Sequence, residues 1–139
     1  MPRSTTYCAI LFLTALGTAA CGSDSTGPAP TEPSAVSVTE SYTDTLTVNG
    51  ARTQPFSVNR AGTVTARITA LSPDDTVTIG LSLGTWNGAV CQIILANDNA
   101  LLNATVTGTA QATGQFCARV YDVGKLTAAT DYTIEITHF

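Results

Sequence analysis

The chain has 139 residues, a formal net charge of −4, and charged side chains at only 12% of positions, Lys125 being the one lysine. Such an acidic, sparsely charged chain lacks the basic footprint of a nucleic-acid binder and has no basic amphipathic segment to lie along an anionic membrane. A single histidine makes zinc-type ligation a poor expectation.

Residues 1–20 read as a secretory signal: Arg3 gives a positive start, Ala9 to Leu16 an apolar centre, and Gly17, Thr18, Ala19 and Ala20 a small-residue end. The apolar run is shorter than the roughly 20 residues of a membrane-spanning helix. It stops at Cys21. "TAAC", Thr18 to Cys21, resembles the lipobox of bacterial lipoproteins. The resemblance implies cleavage before Cys21, lipidation of Cys21, and anchoring on the periplasmic or outer face of a bacterial envelope. The other reading is plain export after Ala20, with Cys21 a free thiol. Cleavage removes Arg3 and leaves five basic against ten acidic residues.

Residues 21–37 are predicted to be the lipidated cysteine and a disordered tether. "GSDSTGPAPTEPSA", Gly22 to Ala35, holds Pro28, Pro30 and Pro33 and no large apolar side chain. It cannot bury enough surface to offset the entropy of ordering. Fully extended, its fourteen residues reach about 40 Å at about 3 Å each.

Residues 38–139 are predicted to be one domain. Val64, Ala66, Ile68 and Ala70 alternate with polar neighbours, as do Val77, Ile79, Leu81 and Leu83, and Tyr132, Ile134 and Ile136. Period two with one apolar face marks half-buried antiparallel strands, and abundant threonine favours them. Turn signals separate the runs: the hairpin-like "NG" at Asn49 and "NRAG" at Asn59, then "SPDD" at Ser72, "WNG" at Trp86, "NDN" at Asn97, "ATG" at Ala112 and "DVGKL" at Asp122. The sequence predicts eight strands near 41–48, 53–58, 63–71, 76–83, 89–96, 104–109, 115–121 and 131–137. Short strands at this spacing predict an all-β antiparallel sandwich.

Cys8 lies in the signal and Cys21 is the lipid site, so Cys91 and Cys117 remain in an oxidising compartment. They are predicted to form a disulfide, the alternative being two buried thiols. A bond requires Cα atoms within about 7 Å and so predicts that the two strands are adjacent. Cys91 shares parity with Ile93 and Leu95, whereas Cys117 opposes Phe116 and Val120. The pair is therefore expected on an outer face or at a bulge.

"PFSVNRAGTVTARITALSPDDTVTIGLSL" followed by "GQFCARVYDVGKLTAATDYTIEI" resembles the bacterial pre-peptidase C-terminal (PPC) domain. Phe56 and Val58 stand in its early "F-x-V" strand, and Gly62, Val64 and Ala66 in the next. Phe116, Ala118, Val120 and Tyr121 stand in its penultimate strand, with Tyr132, Ile134 and Ile136 in the last. The resemblance covers about residues 40–139 and implies a jelly-roll-like sandwich of two antiparallel sheets. Members of the family are appendages of exported enzymes, and some bind calcium or insoluble polymers. Here the residues before the domain read as a signal and tether and not as an enzyme.

Candidate chemistry is sparse. His138 is the only histidine that could serve a Ser or Cys nucleophile, and a terminal-strand histidine is expected to be solvated. "GxSxG", "HExxH" and phosphate-cradling glycine motifs do not occur. Asp98 and Asp122 are calcium candidates because hard loop oxygens suit that ion, although Asn and Asp also shape turns. Trp86, in "GTWNG", either plugs one end of the sandwich or stacks on a sugar or partner. Arg119 and Tyr121 share a face and, with Asp122, suggest a polar surface or a cross-strand ion pair. No catalytic residue and no cofactor is assigned. The sequence points to a lipid-anchored, non-catalytic module for binding or interaction at the envelope, its partner an envelope protein or a polysaccharide. The alternatives are a polysaccharide- or calcium-binding accessory domain and a small secreted hydrolase.

Overall fold

A computed structural model describes residues 35–139. The signal sequence, Cys21 and the tether through residue 34 lie outside the described residues. Eight strands follow in chain order: β1 (Val38–Leu46), β2 (Ala51–Val58), β3 (Gly62–Ser72), β4 (Ile79–Trp86), β5 (Cys91–Ala100), β6 (Thr105–Ala110), β7 (Gly114–Tyr121) and β8 (Thr130–His138). They correspond to the eight predicted strands, with ends shifted by a few residues.

The strands form two four-stranded antiparallel sheets, ordered β1-β8-β3-β6 and β2-β7-β4-β5. In each sheet an early strand pairs with a late one, as though one long hairpin had been rolled into two layers. This is jelly-roll order. Only β4 and β5 form a hairpin between consecutive strands. The expected hairpins at Asn49 and Asn59 are instead arches from one sheet to the other. Their turn chemistry is still as read: Asn49 takes φ 56°, and Gly50 N donates to the Thr47 carbonyl at 2.8 Å. A turn motif defines a reversal of the chain but not the sheet that the next strand joins.

The core lies between the sheets. Ala66, Ile68, Tyr132, Ile134 and Ile136 point inward from one, and Phe56, Val58, Leu81, Ala118 and Val120 from the other. One position departs from the alternation. Between Ile68 and Ala70 the register against β8 shifts, so Ala70 is exposed and Leu71 is buried. A bulge adds one residue to a strand and reverses the side-chain parity beyond it.

Strand β4 is buried on both faces from Ile79 to Gly84. Its outward residues, Gly80, Ser82 and Gly84, are small and register with Tyr121, Arg119 and Cys117 of β7. A Cβ at Gly80 would run into the Tyr121 ring. A Cβ at Gly84 would lie 2.7 Å from the Gln92 carbonyl carbon and 3.0 Å from the Ile93 Cα. Glycine here lets the start of β5 pass over the face of β4.

That crossing explains the disulfide. Cys91 and Cys117 are bonded, with Cα atoms 5.8 Å apart, and both are buried. The predicted adjacency of their strands is wrong, because β4 stands between β5 and β7 in the sheet order. The bond reaches across β4 at Gly84, on the outward face and beside a register shift in β5. The parity of the two cysteines pointed to that location.

Candidate functional site

Strand β5 is an edge strand, with β4 on one side and no strand on the other. Its register against β4 shifts between Leu83 and Gly84, where Ile93 and Leu95 have partners and Ile94 does not. The bulge breaks the alternation, and three consecutive apolar residues emerge. Relative exposure is 43% at Ile93, 65% at Ile94 and 39% at Leu95, with Val90 at 60% just before the strand. From Val90 to Asn97 the edge carries neither a charge nor a proline, and a stretch of this kind is a template for pairing with another chain.

The loop before β5 is built to present Val90. Asn87 Oδ1 accepts from the Ala89 and Val90 amides at 3.0 and 2.8 Å, and Gly88 takes φ +97°. Beneath the strand lies an open cavity of about 60 Å³, lined by Val64, Leu83, Ile94, Leu95, Ala110 and Phe116, among others. The lining is almost wholly apolar, so an aliphatic or aromatic group suits it better than water. The larger cavity, about 220 Å³, lies between the β3–β4 and β7–β8 loops and is lined by Asp74, Val77, Lys125 and Leu126 with neighbouring loop residues.

Trp86 ends β4 opposite Cys91. It is half-buried and stands outside the interior cluster, so it does not plug the sandwich as one reading had it. It flanks the apolar edge instead.

The calcium candidates have other work. Asp122 Oδ1 accepts from the Gly124, Lys125 and Leu126 amides, and its Oδ2 from Asn49 N at 2.8 Å. One carboxylate thus ties the β7–β8 loop to the β1–β2 arch. Burial pushes its pKa up, but the four amide donors outweigh this and hold it below the usual value. Asp98 accepts from the Tyr121 hydroxyl. Burial, with Asp98 beside it, pushes that phenol up to about 12. "NDN" is not a turn between strands: β5 runs on through it to Ala100, with a second register shift where Asp98 and Asn99 stand. Among the described residues, no group of three or more His, Cys, Asp or Glu is placed to hold a metal.

Two further expectations are corrected. His138 is not solvated: it is 2% exposed, with its ring 5.3 Å from that of Phe56. Its Nε2 lies 2.9 Å from Glu40 Oε1, whose other oxygen accepts from Tyr42. The cross-strand pairing with β1 and the arrival of β2 from the other sheet cover it. Those two hydrogen bonds, Tyr42 first, hold the Glu40 pKa below its usual value. Arg119 makes no ion pair among the described residues. It stands in register with Ser82, whose hydroxyl donates to the Arg119 carbonyl at 3.3 Å.

The exposed aliphatic edge escaped the sequence reading because Ile93, Ile94 and Leu95 resemble a buried strand. Only the sheet order shows that β5 lies at an edge, and only the bulge turns Ile94 outward. No protein-family model matches the chain, and no curated protein matches it.

Proposed function

We propose that this protein is an exported, lipid-anchored, non-catalytic β-sandwich that binds a partner protein at the bacterial envelope through the free edge of β5. The observation that carries the proposal is the row Val90, Ile93, Ile94 and Leu95, exposed beside an apolar cavity at a strand with one unpaired edge. A partner strand would add to the free backbone groups, and one apolar side chain would fill the cavity. "TAAC" and the proline-rich tether support the anchor, and the Cys91–Cys117 bond suits an oxidising compartment. The jelly-roll order suits a PPC-like domain, with Phe56, Val58, Ala66, Ile134 and Ile136 standing in the interior.

A protein partner is favoured over a polysaccharide because the exposed row is aliphatic and Trp86 alone offers a stacking ring there. It is favoured over a hydrolase because the buried His138 is bonded to a carboxylate rather than to a hydroxyl or thiol. The test has two parts. Intact mass of the chain extracted from membranes should equal residues 21–139 plus acyl groups. Solubilised native chain should co-purify with a stoichiometric envelope protein that Ile94→Glu loses and Glu135→Gln keeps. Equal recovery with Ile94→Glu would exclude the β5 edge.

A further inference from the structure

The two ends of the sandwich differ in charge. Because the strands alternate in direction, the start of β1 and the loops at 59–61, 87–90 and 111–113 share one end. The turns at 47–50, 73–78, 101–104 and 122–129 share the other. The second end carries Asp74, Asp75 and Asp122 in its turns, with Asp44, Asp98 and Asp131 on adjoining strand residues, against two cations, Lys125 in the last turn and Arg52, which pairs with Asp44 at 3.1 Å, so it stays net acidic. The loops of the first end contain no acidic side chain, and their one charged residue is Arg60. Near it Glu40 is paired with His138. The same end presents exposed Val36, Val38 and Val90 and half-buried Trp86.

The chain that precedes β1 joins the domain at this less acidic end. We propose that the end bearing Trp86, Val90, Val36 and Arg60 seats on the phospholipid surface that holds the Cys21 anchor, with the acidic end turned away; this rests on the lipid-anchored reading above. Three physical terms act together. The fourteen tether residues can reach at most about 40 Å, so the anchor is kept within about one diameter of a domain this size. Tethering at that distance gives an effective concentration in the millimolar range, enough to populate a weak contact. Anionic headgroups attract Arg60 and repel the acidic end, which sets the orientation. Tryptophan is favoured at the membrane interface, where an apolar ring and a polar N–H are both accommodated. Seated in this way, β5 rises from the lipid with its edge open sideways to a partner.

The single tryptophan of the chain is its own reporter. The lipidated chain is reconstituted in phosphatidylethanolamine–phosphatidylglycerol vesicles, with and without brominated acyl chains, and flotation reads the anchor independently. The expected result is a shift of Trp86 emission to shorter wavelength and quenching by the brominated lipid. Val90→Asp combined with Arg60→Glu should lose the quenching while the chain still floats. A Val48→Trp reporter at the acidic end, in a Trp86→Phe background, should not be quenched. Several results would overturn the inference. A floating chain whose Trp86 is unquenched overturns the seating but leaves the anchor. Equal quenching at positions 86 and 48 overturns the orientation. Shielding of Trp86 from acrylamide without quenching by bromine assigns the surface to a second copy. A chain that neither floats nor carries acyl mass overturns the anchor, and the seating with it.

Discussion

Replacing both Cys91 and Cys117 by alanine removes a cross-link between residues 26 apart in sequence. In the chain-entropy treatment a loop of that length restricts the unfolded state by about 3.5 kcal/mol at 25 °C. For a domain of about 100 residues each kcal/mol corresponds to roughly 4–8 °C, so the midpoint should fall by roughly 15–25 °C. The loss should also have a place. The bond pins the start of β5 over Gly84, so amide exchange should quicken first from Trp86 to Ile93 and least in β3 and β8. Thermal unfolding followed by circular dichroism, with and without reductant, reads the first effect, and hydrogen exchange with mass spectrometry the second. Reductant should lower the midpoint of the parent and leave the double variant unmoved. A parent whose midpoint moves by only a degree or two on full reduction would refute the assigned role of the bond. So would faster exchange spread evenly over both sheets.

Gly84→Ala should cost about 1–3 kcal/mol by urea titration, because its methyl meets the Gln92 and Ile93 backbone, whereas Gly114→Ala, with only ordinary contact, should stay within about 0.5 kcal/mol. Tyr42, Tyr121 and Tyr132 are all pushed up to about 12, burial first, and are the tyrosines that would remain once Tyr7 is removed by the proposed cleavage before Cys21. Phenolate absorbance should therefore show no step near pH 10. Since the folded-state values are raised, the stability these groups contribute is fully present below about pH 10 and lost as pH rises toward 12. Glu40, Asp74 and Asp122 are shifted the other way. Their contribution is present above the ordinary carboxylate range and lost as pH falls below it, and Glu40→Gln should flatten that acid limb in denaturation curves. Asp122→Ala leaves four amides without their carboxylate acceptor and should cost about 1–2 kcal/mol, the size of a lost side-chain cap; an unchanged urea midpoint would contradict the tie between the two loops.

Period-two alternation made the strands legible, because one buried face imposes it wherever a sheet packs on a core. It misled at Ala70 and Leu71, where a bulge reverses parity, a local event with no signature in composition. The disulfide was legible from compartment and elimination, but not its path across β4, which depends on Gly84 lacking a side chain and on the rolled-up strand order. His138 illustrates the limit most plainly. A residue near the end of a strand looked free, yet Glu40 and Phe56, both distant in sequence, enclose it. The β5 edge was hidden for the same reason: exposure of Ile93, Ile94 and Leu95 depends on which strands come to lie beside them.

The most direct test of the β5 edge as the working surface is a photo-crosslinking amino acid placed at Ile94 in the full chain, in cells of a bacterium that exports and acylates it. Activation should give a discrete, higher-mass protein adduct from position 94 and none from position 135, on the outer face of the other sheet. Addition of Leu95→Asp should remove the adduct. No adduct from position 94 alongside a strong one from position 135, or an adduct indifferent to Leu95→Asp, would contradict binding through β5.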